Sequence, residues 1–442
     1  MFPPRFLNPV RRSALLALML VMVFAMTAAP MSLHPQERPA EVPRLRAPWS
    51  ERAIDHGLHG KERIRVIADV HRTIAMEMLE RVETIRSLVD DHFGPLALRR
   101  PDAPRLLVFE DLAEMRFTLR TSFGAQAPET TALAIPHANG MVLAVTVDRS
   151  SPHGLAQRIQ AEAFRHYALP RFPDSFPPWA DHGLAEYYAV APVSGRSVWS
   201  GECPPRFVES LQNLDLRGGL VPLERLIGLD ESAWQRHGEL RGFASLHAQS
   251  WGLVQFMLHG GSPDLARRFI RWLHQVSAGR EPVAAFEERL GAGADGVSIS
   301  DLEVAWRRWI RRLEPSPLLE GIERLELLKK ICEDLENDGV RPSDAVEFVE
   351  VVQERPEVRH VVLSHPVSRT LGSHDRDLLD PGTFMVVDSE PSSSEEAAGR
   401  EAPPALRLLE TGPWDLGVEW ARDLDEETWF PQVRIRRRRG GG

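Results

Sequence analysis

Between residues 62 and 93 apolar side chains recur at helical spacing (Ile64, Ile67, Val70, Ile74, Met78, Val82, Ile85, Leu88), which predicts one long amphipathic helix closed by Gly94 and Pro95. The pattern then shortens to β-type runs at 106–110, 132–136 and 141–147, and Asn139-Gly140 between the last two is a hairpin signal. After Ser151 helical spacing returns, over 154–167, 182–190, 204–214, 222–227, 245–258, 263–277, 282–290 and 300–313. A small sheet first and helices after it predict an α+β fold rather than a doubly wound sheet. Past Pro315 two further helices are expected (318–337 and 343–354), followed by a short β-run at 359–363. Residues 389–404, SEPSSSEEAAGREAPP, have the composition of a disordered linker, and the chain from 389 to 442 reads as a mostly disordered tail. Its basic end, with Arg434 and Arg436 to Arg439, reads first as a solvated tail and second as a contact for an anionic surface.

The amino terminus adds a destination. Arg5, Arg11 and Arg12 precede a run from Ser13 to Ala29 with the apolar core ALLALMLVMVFAM, the layout of an export signal. Thr27 and Ala29 have the small size a cleavage site needs, but Pro30 would follow the cut, so residues 1–29 are expected to be either a signal peptide or an N-terminal anchor. A run of about 17 residues is at the short end of what spans a bilayer, and arginines in front of it place the remainder outside the cytoplasm. The Pro-rich stretch 30–50 reads as a linker. Export to the periplasm or another extracytoplasmic space is the expectation, with membrane contact through the N-terminal segment alone.

Composition narrows the function classes. The chain carries 53 basic side chains and a formal net charge of −10, so there is no global nucleic-acid footprint. Cys203 and Cys332 stand far apart without CxxC or Cys/His finger spacing, which argues against a structural zinc module or a disulfide framework. Gly291, Gly293 and Gly296 spell GxGxxG, but the pattern follows a helical stretch where a dinucleotide site needs a strand, and it reads as an inter-helix loop.

The informative stretch is 159–191, IQAEAFRHYALPRFPDSFPPWADHGLAEYYAVA. On a helix Glu162 and His166 lie four apart and share a face, as do His182 and Glu186 on the next. Two carboxylates and two imidazoles in that arrangement suit either a zinc site or a salt-bridged polar seam between helices.

At these residues the chain resembles the exported bacterial members of the peptidase MA-like, gluzincin-type metallopeptidases. Their zinc helix reads HExxH, and a second helix, typically WLNEGLAEYF, supplies the glutamate that completes the site. Trp179 to Tyr188 (WADHGLAEYY) is similar to that second helix with His182 in place of the glutamate. Ala161-Glu162-Ala163-Phe164-Arg165 aligns with HExxH, keeps the general-base glutamate as Glu162 and has Ala161 and Arg165 where the histidines belong. The resemblance extends over residues 60–315 and implies a zincin-like domain at 51–315, with a helical region at 316–388 behind it.

It also implies which chemistry is missing. A zincin holds zinc on three side chains and leaves a position for water, whose pKa the metal lowers from about 15.7 to about 7. With the ligand positions occupied by Ala161, Arg165 and His182, Glu162 is a vestigial general base without an activated water, and a guanidinium repels a dication. The expectation is therefore a pseudopeptidase without a cofactor, whose cleft, around Glu186 and His166, binds a peptide or protein. Two alternatives stay open: an active zinc metallopeptidase with relocated ligands His166, His182 and Glu186, and a purely structural envelope protein. One residue along a helix turns a side chain by about 100°, which would point His166 away from the family's metal position. Arg165 is expected to reach Glu162, Glu186 or both and to fill the pocket a metal would occupy.

Overall fold

The computed structural model describes residues 54–55, 64–98, 104–125, 130–137, 140–147, 152–194, 197–290, 298–355, 379–387, 402–409, 411–423 and 428–438. The apolar segment 13–29, the linker at 30–50, Asn139, the three glycines of 291–296, the run 359–363, residues 389–401 and Arg439 lie outside them. No helix among the described residues is long and apolar enough to cross a membrane.

The fold is α+β. Its first sheet has five strands, β1 (Ile54–Asp55), β2 (Arg65–Ala68), β3 (Arg105–Phe109), β4 (Ala132–His137) and β5 (Gly140–Thr146), in the spatial order β1-β2-β3-β5-β4. Strands β2, β3 and β5 run parallel, whereas β1 and β4 are antiparallel edges. Parallel neighbours need crossover connections, and two helices provide them: α1 (Arg72–Phe93) and α2 (Leu112–Phe123). The sheet precedes the helical body as expected, with α1 and α2 alternating with its strands.

The single helix expected over 62–93 is corrected. Its first residues form β2, in which Val66 and Ala68 are buried and Arg65 is exposed, and with the buried Ile64 just before it this makes a period of two concealed inside the longer helical pattern. Helix α2 has no counterpart in the sequence reading although its caps are written there. The Asp111 carboxylate accepts from the Ala113 and Glu114 amides at 2.6 and 3.0 Å, and Gly124 closes the helix at φ 64°.

A helical body follows: α3 (Pro152–Ala168), α4 (Pro178–Ala189), α5 (Pro205–Leu216), α6 (Leu223–Ile227), α7 (Glu231–Arg241), α8 (Phe243–Gln255), α9 (Pro263–Ser277), α10 (Pro282–Leu290) and α11 (Ile299–Ile310). Between α4 and α5 the short strands β6 (Val193–Ser194) and β7 (Ser197–Val198) form a ribbon. Helix α7, absent from the sequence reading, starts on the Asp230 carboxylate, which accepts from the Ala233 amide at 2.7 Å. Trp179 at the start of α4 stacks on Trp272 of α9 at 5.5 Å and meets the Phe286 ring edge-on, so α4 is clamped by buried aromatics. This first core runs from Ile64 to Ile310.

A second core begins at Leu318. Helices α12 (Pro317–Asn337) and α13 (Ala345–Glu354) pack with an antiparallel sheet of β8 (Phe384–Val387), β9 (Ala405–Leu408), β10 (Trp414–Asp423) and β11 (Thr428–Arg437). The mostly disordered tail expected over 389–442 is thus corrected for 405–408, 414–423 and 428–437. Leu416, Val418 and Ile435 point into this core, while on the sheet Arg407 donates to Asp415 and Glu419 and Arg434 donates to Glu419. Averaged composition mixes those two faces and hides the alternation.

Gly183 sets how closely α4 approaches α8. A Cβ there would lie 2.5 Å from the Ser250 carbonyl oxygen and 2.9 Å from Val254 Cγ2. Because backbone cannot yield as a side-chain tip can, Gly183→Ala should destabilise the protein by about 1 to 3 kcal/mol, the usual cost of overpacking. Chemical denaturation measures this, and an unchanged midpoint would show that the two helices are free to separate.

Candidate functional site

The residues singled out in 159–191 sit on α3 and α4, and the two helices pack against each other beside the edge strand β4. Glu162 is 4% exposed. Its Oε2 accepts from the Ala134 amide of β4 at 2.9 Å, which satisfies a donor on the sheet's open edge. Its Oε1 accepts from Arg165 Nη1 at 2.6 Å.

Arg165 reaches two further groups, both on α4. Its Nε donates to Asp181 Oδ2 at 3.0 Å, and its Nη2 donates to His182 Nδ1 at 3.0 Å. A guanidinium only donates, so His182 Nδ1 must be the unprotonated ring nitrogen and the neutral imidazole carries its proton on Nε2. Burial pulls the His182 pKa down from 6.5 to about 4; Arg165 and His247 push the same way, against Asp181 and Glu186. The ring lies nearly parallel to the Trp234 indole of α7, with centroids 4.9 Å apart. For Arg165, burial acts to lower the pKa, but Asp181 and Glu162 more than offset it and leave the guanidinium above its ordinary value.

Glu186 is placed elsewhere than expected. Its Oε1 bonds His247 Nδ1 of α8 at 2.9 Å. Burial pushes the Glu186 carboxyl up, yet the His247 hydrogen bond, with Arg206 and Arg165, brings it below the usual carboxylate range. The His247 ring lies 4.6 Å from the His182 ring. The expected reach of Arg165, to Glu162, Glu186 or both, is met at Glu162, and its second carboxylate is Asp181.

The relocated ligand set is corrected. His166 is fully buried; its Nδ1 faces Arg86 Nη1 at 3.3 Å and its Nε2 faces the Met141 carbonyl at 3.4 Å. One residue of helical rotation aims it at the sheet, so it does not join His182 and Glu186. Among the described residues no group of three or more His, Cys, Asp or Glu side chains is placed to hold a metal ion. Ala161, 8% exposed, has no donor atom to offer. A guanidinium that cannot be deprotonated lies between Glu162 and His182. These residues do not fit a dication.

Sequence reasoning missed Asp181, His247 and Trp234. Asp181 was visible inside WADHGLAEYY, where its neighbour drew the attention, whereas His247 and Trp234 reach the site only because α7 and α8 fold over α4. No family model matches the chain, and no curated protein matches it.

Two outcomes follow from the charge balance. Arg165→Ala would orphan Glu162 and weaken the hold on Asp181. With side-chain exposures of 20% for Arg165 and 27% for Asp181, we expect a loss of about 3 kcal/mol, the low end for breaking a buried pair, and an unaltered melting curve would contradict it. For His182 the folded pKa lies below the unfolded one, so the unfolded chain takes the proton first. Its contribution is complete above pH 6.5 and is lost as pH falls toward about 4, amounting to roughly 2 to 3 kcal/mol. Stability of His182→Gln should fall less steeply over that window, and parallel profiles for the two proteins would count against a buried neutral imidazole.

Proposed function

We propose that this chain is an exported, peptidase-like protein that has exchanged metal chemistry for an ion-paired site, and that its cleft binds a peptide or protein without cleaving it. The observation that carries this reading is the position of Arg165, whose three donor nitrogens go to Glu162, Asp181 and His182. Glu162 meets Arg165 and, through it, His182, and the latter two stand at positions where the resemblance to the peptidase MA-like family implies ligands. The cation at that point is a side chain. Water there has no Lewis acid to lower its pKa, and both oxygens of Glu162 already accept hydrogen bonds.

The reading also supports a specific test. Protein purified without added metal should contain far less than one equivalent of zinc per chain and show no proteolysis that a chelator abolishes. The triple variant Ala161→His, Arg165→His, His182→Glu restores the family's ligand types and should take up zinc. One equivalent of zinc in the unaltered protein, with proteolysis lost in Glu162→Gln, would overturn the proposal.

Export rests on the arginines and the apolar run at 13–29. A reporter active only outside the cytoplasm, fused after Pro48, should be active in cells, while a cytoplasmic reporter at the same point should be silent. The reverse pattern would refute the topology.

A further inference from the structure

Beside the turn between α7 and α8 lies a cavity of about 240 Å³, open to solvent on one side. Its construction depends on two glycines. Gly242 adopts φ 92°, and Gly238 has no Cβ where the Phe243 ring lies 2.2 Å from the position one would take. The chain therefore reverses within a single residue, and Arg241 and Ser245 come to line the same space.

Three polar side chains on that space have no hydrogen-bond partner among the described residues. His237 is 92% buried, being 8% exposed, and it faces the cavity one turn along α7 from Trp234. Arg241 forms no ion pair, and the Ser245 hydroxyl forms no bond. A fourth, Gln249, accepts from the Val221 amide at 3.0 Å and donates to the Val221 carbonyl at 2.5 Å, which leaves one amide hydrogen free. No carboxylate lines the cavity, and Leu214 and Leu246 give it an apolar floor. Arg225 lies near enough to join Arg241 in lowering the His237 pKa, after the larger effect of burial. Convergent donors over an apolar floor are how ligand sites are built.

We propose that this cavity binds a small organic carboxylate, the anion seated on Arg241, His237 and Ser245 and its short apolar part on Leu214 and Leu246. A guanidinium offers paired donors that match a planar carboxylate, and the cavity volume restricts the ligand to a compact one. The site is separate from the Arg165 cluster and does not depend on the pseudopeptidase reading.

Calorimetric titration of the full chain with acetate, butyrate and benzoate tests it, with benzamide as the neutral counterpart and inorganic phosphate as a tetrahedral anion. At least one carboxylate should bind with one site per chain and benzamide should not. Arg241→Gln should weaken that binding about tenfold or more, the usual effect of losing one charge-assisted contact. Because Arg241 is exposed, the variant should keep the parent's melting curve. Ser245→Ala should weaken the same ligand to a lesser degree. The proposal fails if none of the carboxylates binds, if benzamide binds as well as benzoate, if phosphate alone binds, or if Arg241→Gln leaves the affinity unchanged.

Discussion

A guanidinium held by two carboxylates and a neutral imidazole fixes how α3 and α4 meet. Glu162 and Arg165 belong to one helix and Asp181 and His182 to the other, so the hydrogen bonds of a single side chain tie the pair together. Each partner needs the arrangement. Glu162 is nearly inaccessible and also binds the β4 amide; without a cation it would be an isolated buried charge, which is strongly disfavoured. His182 can accept from Arg165 only while it is neutral, and burial against Trp234 keeps it so. Sheet edge, helix pair and the α7 indole are thus joined through one positive charge.

The same arrangement carries the proposal that the site binds or supports rather than hydrolyses. A metal and an arginine both neutralise carboxylates, but they differ in what they do to water. Zinc leaves a coordination position open and acidifies its occupant, whereas a guanidinium whose three nitrogens are engaged has nothing comparable to offer. The Glu186–His247 pair beside it keeps a carboxylate and an imidazole partly exposed.

Much of the site was legible because its residues lie close together in sequence. Glu162, Arg165 and His182 fall within the stretch 159–191, and the i, i+3 and i, i+4 relations along a helix say which of them share a face. Asp181 needed only the recognition that it precedes His182 on the same first turn. Contacts made across the fold, from His247 and Trp234, leave no local trace. In the fold, the helices of the body other than α7 were readable from their period, but β2 was absorbed into the helix that follows it, since Ile64, Ile67 and Val70 keep helical spacing across the strand. Strands β9 to β11 were lost for another reason. Their outward faces carry paired charges and their inward faces single apolar residues, so the average of the stretch is that of a polar tail.

The account stands on the energetic coupling between Arg165 and Glu162, and a double-mutant cycle measures it directly. Stabilities of the parent, Arg165→Ala, Glu162→Gln and the double variant would be determined by reversible denaturation at neutral pH. If the guanidinium neutralises the buried carboxylate, the double variant should be less damaged than the sum of the single ones, with a coupling of about 2 kcal/mol, within the range for residues in one ion-paired network. Additivity to within about 0.5 kcal/mol, the behaviour of independent sites, would contradict it and remove the basis for reading this cluster as a replaced metal centre.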